Sequence, residues 1–506
     1  MNGTECRPQA PVAERGSEIV RVADKGAMGG TDGTGSPGVG GLRAASGRLK
    51  SDVKLSNAFV LVYNKQNAVQ RASSGRAGHE NRETTDNMSS FRRWLVMTCL
   101  CLSGGVIYLL PFLREVYYMP LQTALHLNNT QLGVLMSVFG TTSMITYFPG
   151  GWLADRFSPR KLMTLSLILT GSAGLYFATF PSYAVSIIIH AFWGVSITLT
   201  FWASMIKATR NWAPAAEQGR AFGILEGGRG VAEVVTSTIL LAVFAGLGSG
   251  DRALSRVIVL FSAANIFLGL LTWLVISDTG RKDPGPEHPK EKVGFREVVR
   301  VLRMPEVWLI SAVLLAAYGA YWGAYYFTPY ATDVFKMGVV FGGAIGVGKM
   351  WLKPLAALAA GFVADRAGIS KTVILSLSVL ILSFGVFILI PGSPGLVPVL
   401  LAGTAVASLA IFALRGIYFA LLEEGGVPLA VTGTATGIVS VVGFTPDVFM
   451  PMVGGVLLDR FPGAQGYRFL FMVIAGLCVL GLAAAVVIRR KYAVHGAGIR
   501  RGKSSP

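Results

Sequence analysis

Between residues 94 and 488 the chain is a succession of apolar runs, each about 20 residues long and separated by short polar connections. A run of about 20 apolar residues makes a helix of roughly 30 Å, the thickness of a bilayer's hydrocarbon core. No water reaches that depth, so backbone groups must bond within their own segment, and helices satisfy this singly. Candidate spans fall near 94–118, 130–153, 161–180, 183–206, 220–247 and 256–276, and then near 306–331, 338–363, 372–391, 395–420, 433–457 and 468–488. A charged stretch, Ser277 to Arg303, separates the sixth from the seventh. The expected fold is an all-α membrane protein of twelve spans: an N-terminal bundle over 91–278, a cytoplasmic linker over 279–304 and a C-terminal bundle over 305–490.

Charge supports a membrane solvent. Only 14% of residues are charged, against about 25% in soluble proteins. The net charge of +18 would suit nucleic acid, but the basic residues sit in connections where they fix topology. With both termini cytoplasmic, the inward connections from Arg92 onward hold 23 Lys and Arg, and the outward ones hold five. An odd number of spans destroys that asymmetry. The first 90 residues carry thirteen glycines and no long apolar run, which predicts a disordered tail. A natural start at Met88, followed by Arg92, Arg93 and Trp94, is the sharper alternative. Residues 491–506 form a basic tail. Three of the four cysteines (Cys99, Cys101 and Cys478, but not Cys6) lie in apolar runs, so neither a disulfide framework nor a metal site is expected. No phosphate loop, metal-binding His spacing or nucleophile elbow is present, which argues against an enzyme and against any cofactor.

The two halves repeat each other. Tyr117-Tyr-Met-Pro120 matches Tyr326-Phe-Thr-Pro329 at an offset of 209, and Gly150-Gly-Trp-Leu-Ala-Asp155-Arg156 matches Ala360-Gly-Phe-Val-Ala-Asp365-Arg366 at 210. Phe222-Gly223-Ile224 matches Thr436-Gly437-Ile438 at 214. Parallel six-helix repeats place a solute site between the halves, near the midplane. Gly151-x-x-x-Asp155-Arg156-x-Ser158-x-Arg160-Lys161 resembles the loop between helices 2 and 3 of the major facilitator superfamily, and Gly361-x-x-x-Asp365-Arg366-x-Gly368-x-x-Lys371 is its second copy. Ser158 stands in place of the usual glycine, and Ser370 in place of a usual basic residue. The resemblance spans 91–490 and implies transport by alternating access. It makes Gly151, Asp155, Arg156, Gly361, Asp365 and Arg366 conformational latches: each glycine admits a neighbouring helix, and each aspartate holds one closed state. A solvated tight turn is the bland alternative.

A charge at mid-span costs about 2.5–3.5 kcal/mol even on a lenient scale, so such residues face a cavity or a partner. Span 5 carries Glu226, Arg229 and Glu233 on one face, with Arg229 able to reach both acids. They form either a cavity-facing stack or a self-neutralised pair near the cytoplasmic end. Span 8 carries Lys349 and Lys353 at i and i+4, without a nearby acid in sequence before Asp365. They bind an anion, or they pair with Glu226, Glu233 or Asp447 across the halves. Asp447 in span 11 maps onto Glu233 at the 214 offset, and both suit a coupling proton, since burial favours a neutral carboxyl. An ion-pair role with a lysine or arginine is the alternative for Asp447, and the two roles need not exclude each other. Arg415 in span 10 binds an anion or snorkels. Arg114 and Glu115 in span 1 are expected in a partly wet position meeting incoming solute. On span 7, Tyr318, Tyr321 (or Trp322) and Tyr325 share a face that lines the cavity or a lipid interface. His190 falls where many family members carry arginine. A lone histidine is more often a hydrogen-bonded core residue than a proton relay.

Cations among these candidates (Arg114, Arg229, Lys349, Lys353 and Arg415) outnumber the acids (Glu115, Glu226, Glu233 and Asp447) by one. The chain looks like the anion-carrying branches of the superfamily: organophosphate and sugar-phosphate permeases, nitrate/nitrite carriers, and hexuronate or carboxylate symporters. Phosphate antiporters of that type carry an arginine on span 7, where aligning Pro329 places Tyr321. The expectation is a small organic anion, a carboxylate, moved by symport with a proton (or sodium) in a monomer of the inner or plasma membrane. Arg114, Arg229, Lys349, Lys353, Arg415, Tyr321 and Tyr325 are the substrate candidates, and Glu226, Glu233 and Asp447 the coupling candidates. An inorganic-anion or organophosphate exchanger is the first alternative. A transporter-like sensor is another, although the central linker is short for a signalling domain.

Overall fold

The computed structural model describes residues 90–213, 217–277, 295–428 and 431–493. The N-terminal tail, the alternative start at Met88, most of the linker and the end of the basic C-terminal tail lie outside the described residues.

All twelve expected spans are helical. Span 1 comprises Ser90–Val106 and Arg114–Ala124, span 2 is Asn129–Arg156, span 3 is Pro159–Phe177 and span 4 runs from Tyr183 to Trp212. Span 5 is Gln218–Gly246 and span 6 is Asp251–Val275. Span 7 comprises Pro305–Tyr325 and Phe327–Asp333, span 8 is Val339–Ala367 and span 9 is Ile369–Leu389. Span 10 is Val397–Ile417 with a short extension to Glu424. Span 11 comprises Thr432–Gly443 and Pro446–Arg460, and span 12 is Ala464–Ile488. By length and apolarity, eight helices among the described residues can cross a membrane, or ten when the bent pairs of spans 2 and 8 are each counted as one. Spans 1 and 3 fall outside that count. Span 1 was expected to be continuous over 94–118. It opens into turns over 107–113, around Pro111, which has no N–H to continue the helix.

Local chemistry sets the ends. Asn128 and Gln131 form a reciprocal capping box that starts span 2. Ser158 accepts from the Lys161 N–H to start span 3, at an extended φ of −72°. That geometry needs no glycine, which explains the serine at this place in the first loop. The matching loop of the second half turns at the single residue Gly368, whose φ is +98°. Spans 7 and 11 break beside Pro329 and Pro446, each removing a backbone donor.

Packing repeats between halves. Within the first half spans 1–5, 1–6, 2–4 and 3–6 are neighbours; within the second, spans 7–11, 7–12, 8–10 and 9–12 are. Two seams join the halves, span 2 against span 11 and span 5 against span 8. Gly140 lies against the Asp447 carbonyl and Gly455 against that of Asn129, approaches that leave no space for a Cβ. These contacts lie toward the face bearing the turns at 125–128 and 334–338, here the far face. The opposite face carries the Asp155 and Asp365 turns. Among the described residues, hydrogen bonds and ion pairs between halves occur from the far face down to mid-depth, ending at Lys353–Glu233. The two halves are therefore closed at the far face and parted at the other.

Candidate functional site

The mid-span charges sort into pairs that cross the seams. In span 5, Arg229 donates to Glu226 at 2.6 Å and to the Gly104 carbonyl at 3.2 Å, and its guanidinium carbon lies 5.0 Å from the Trp202 ring centre. A Cβ at Gly104 would collide with the Arg229 side chain, so a glycine of span 1 makes room for it. Glu233 was expected within reach of Arg229. It instead pairs across the seam with Lys353, at 3.2 Å. Span 5 thus splits its acids, one to its own arginine and one to the other half.

The lysines of span 8 do not share an anion. Lys349 pairs with Glu115 at 2.8 Å and donates to the Ala324 carbonyl, beside the break in span 7, also at 2.8 Å. Lys349 and Glu115 are 2% and 5% exposed. The partly wet position expected for Glu115 is therefore dry, because spans 7 and 8 close over the break in span 1. A buried pair persists only when both charges are present and well bonded. Thr328 adds a hydrogen bond to the Glu115 carbonyl, 2.8 Å away. Lys353 and Glu233, nearer the parted face, keep 40% and 25% of their side chains exposed.

Arg114 is also dry, at 2% exposure. Its guanidinium carbon sits 5.0 Å from the Tyr118 ring and 5.2 Å from that of Tyr326 in the other half, and its three nitrogens make no hydrogen bond among the described residues. Arg415 has no acid partner among the described residues either. It lies 3.9 Å from the Tyr321 ring centre and donates weakly to the Tyr318 hydroxyl at 3.4 Å. The Tyr325 hydroxyl donates to that of Tyr321 at 2.9 Å, so one tyrosine face of span 7 continues from Arg415 toward Lys349. Asp447 accepts from the Trp322 indole at 2.7 Å and has no cation partner among the described residues. It does not mirror Glu233, although the 214 offset aligns the two. Trp322, named in sequence only as an alternative on the tyrosine face, stacks on Tyr325 with ring centres 4.7 Å apart and reaches Asp447 of span 11 with its indole N–H.

His190 is a bonded core residue: its Nδ1 lies 2.8 Å from the Ser186 carbonyl, and its ring packs on Phe177 and Trp193. At the parted face, Asp155 and Asp365 are exposed and make no ion pair among the described residues. Lys207 closes the end of span 2 through the carbonyls of Ala154 and Asp155, at 2.6 and 3.4 Å. Arg156 stacks on Trp152. A Cβ at Gly151 or Gly361 would meet nothing within 4 Å, so the helix approach expected there is not made in this state. Asp459 was not foreseen. Its carboxylate accepts from the Asn129 N–H at 3.0 Å, the Asn129 side chain at 2.8 Å and the Thr130 N–H at 2.7 Å. The capping box at Asn128 marked the start of span 2, but nothing local marked the acid 330 residues away that binds it.

A sequence model described as Major Facilitator Superfamily matches residues 95–446. The chain belongs to the major facilitator superfamily. It is therefore a multi-pass membrane transporter rather than an enzyme. It is 31% identical over 400 residues to the Escherichia coli protein named Inner membrane protein YqcE, covering 78% of this chain and 93% of that one. The Thermus thermophilus protein named "Probable nitrate/nitrite antiporter NarK1" is 25% identical over 54% of this chain and 61% of its own length. Among solved structures, a bacterial homologue of the human lysosomal transporter Spinster, inward-facing and unoccupied, superposes with a TM-score of 0.67. That match covers 80% of this chain and 98% of the other at 16% identity, a likeness of fold alone.

Proposed function

We propose that this transporter carries a small organic anion, a carboxylate, by alternating access in symport with a proton. The observation behind this reading is a mismatch of charge near mid-depth. Glu115, Glu226 and Glu233 each have a cation, whereas Arg415 and Asp447 have no opposite charge among the described residues. An arginine held by tyrosine rings in place of a carboxylate keeps its donors for a bidentate acid. A carboxyl with only an indole donor can gain a proton without abandoning a cation. In this reading Arg415, Tyr321 and Lys353 hold the anion, with Tyr325 as a wall, and Asp447 carries the proton. Glu233 answers the solute by releasing Lys353. Lys349, Arg229 and Glu226 hold the frame. Similarity to a protein named for nitrate and nitrite is consistent with an anion.

The halves divide near 278 and 305, both termini lie in the cytoplasm, and the parted face is the cytoplasmic one. Asp155 and Asp365, with Gly151, Arg156, Gly361 and Arg366, engage when that face closes. The inner membrane is the expected location, and the protein acts as a monomer.

Proteoliposomes loaded at alkaline pH and given a labelled carboxylate at acid pH test this. Uptake is expected to exceed that without a gradient and to collapse with an uncoupler. Uptake indifferent to both would sink proton coupling. Arg415→Gln is expected to cut uptake by about 10- to 100-fold, the worth of one charge-assisted hydrogen-bond pair. Undiminished uptake would remove Arg415 from the site. A second reading, exchange of inorganic anions, draws on the same relative. It predicts nitrate counterflow with no pH gradient.

A further inference from the structure

Spans 2 and 11 form a seam with an acid at each end. Span 2 has 28 residues and runs from the far face to the parted face, where it ends at Asp155 and Arg156. Span 11 runs the other way along it, from Thr432 to Asp459 and Arg460 at the far face. Span 11 packs on span 2 through Pro446–Arg460, so at the far face Asp459 stands beside the beginning of span 2, while at the parted face span 2 ends on Asp155. At the far face this arrangement is engaged: Asp459 takes the first backbone donors of span 2, those of Asn129 and Thr130, and the Asn129 side chain. These are the groups a helix start leaves unsatisfied, and its dipole favours the negative charge. At the opposite end Asp155 is exposed and unengaged among the described residues.

We propose that Asp459 and Asp155 are the two alternate positions of one toggle, of which only one is closed at a time. Both helices bend between their ends, span 2 near Pro149 and span 11 beside Pro446, but in alternating access the two halves rock as bundles about mid-depth, so seating Asp155 on the start of span 11 draws Asp459 away from the start of span 2. The other seam has no such counterpart at the far face: the 214 offset carries Asp459 onto Ala245, at the end of span 5. The far face is thus held on one side by the Asp459 cap and on the other by the lysine pairs. This device rests on the alternating-access reading but on no choice of solute or coupling ion.

Ser137 provides the reporter. Gly133 lies against Pro451 and Gly140 against Asp447, so Ser137 shares the face of span 2 that meets span 11. It is only 9% exposed in this state. In the full chain with its four native cysteines replaced, Ser137→Cys is labelled with a membrane-impermeant maleimide applied from the far side. Asp459→Asn is expected to raise the labelling rate about fivefold or more, by moving the population toward the far-open state. Asn129→Asp, which sets a second negative charge against Asp459 and leaves span 11 untouched, is expected to do the same. Asp155→Asn should lower the rate, and the Asp155→Asn/Asp459→Asn double variant should return toward the parent. Should Asp459→Asn fail to give monodisperse protein, Asn129→Asp decides alone. No rise with the variants that fold, or a rise with Asp155→Asn, overturns the toggle. Because no solute is added, either result stands apart from the fate of the carboxylate and proton assignments.

Discussion

At the scale of single residues, the governing fact is that a charge in hydrocarbon needs an answer, and these charges find different ones. Lys349 and Glu115 answer each other in a dry site. Replacing Lys349 by Met should destabilise the protein by about 3–5 kcal/mol, since Glu115 is left buried and alone. The Lys349→Met/Glu115→Gln double variant should recover much of that loss, because neither charge then remains unpaired. Thermal unfolding in detergent measures both, and equal losses in the single and double variants would contradict the pairing. Arg114 and Arg415 are answered by aromatic rings, an interaction worth about 2 kcal/mol when desolvated. Asp447 is answered by an indole. Asp447→Asn should keep the Trp322 contact and leave exchange at equal pH intact, while abolishing acceleration by a pH gradient. Uptake kinetics with and without the gradient check this. The candidates themselves could be read from one rule, that ionisable groups do not belong at mid-span. Their pairing could not. Glu115 was read as wet, and Arg229 as bridging two acids, because sequence spacing reports neighbours on one helix and is silent about the helix opposite.

At the scale of elements, the two matching turns show how one motif tolerates different residues. Ser158 turns at an extended φ and caps span 3, so Ser158→Ala should cost about 1 kcal/mol through the lost cap. Gly368 turns at φ +98°, so Gly368→Ala should cost about 1–2 kcal/mol through strain alone. Comparing unfolding midpoints of the two variants tests the assignment, and a harmless Gly368→Ala would contradict it. Twelve helices were legible because apolar runs and proline and glycine punctuation repeat along the chain. The breaks were less so. Pro329 and Pro446 stand beside two of them, and Pro111 beside the third, but a lone proline in a long apolar run does not fix how far the helix opens, here over 107–113. Packing of span 1 against spans 5, 7 and 8 holds the opening in place, with Glu115 on Lys349 and Arg114 on Tyr118 and Tyr326.

At the scale of the whole molecule, duplication in sequence foretold duplication in packing: the pairs 1–5, 1–6, 2–4 and 3–6 of the first half recur as 7–11, 7–12, 8–10 and 9–12 in the second. Which face is closed is a property of the assembled halves and left no local trace. A cysteine at Glu226, whose side chain is 60% exposed, should react rapidly from the parted face and slowly from the far face. Reaction from the far face alone would reverse the reading of the open side. The lysine pairs have one more consequence, and it concerns synthesis. Glu115 enters the membrane about 230 residues before Lys349 is made. At about 5–20 residues per second Glu115 waits roughly ten to fifty seconds for Lys349, and Glu233 roughly six to twenty-four for Lys353. During that interval the nascent chain must shelter two acids by protonation, by water, or against whatever receives it from the ribosome. A first half produced by itself would keep that debt indefinitely, and should accumulate only when the second half is supplied in the same cell.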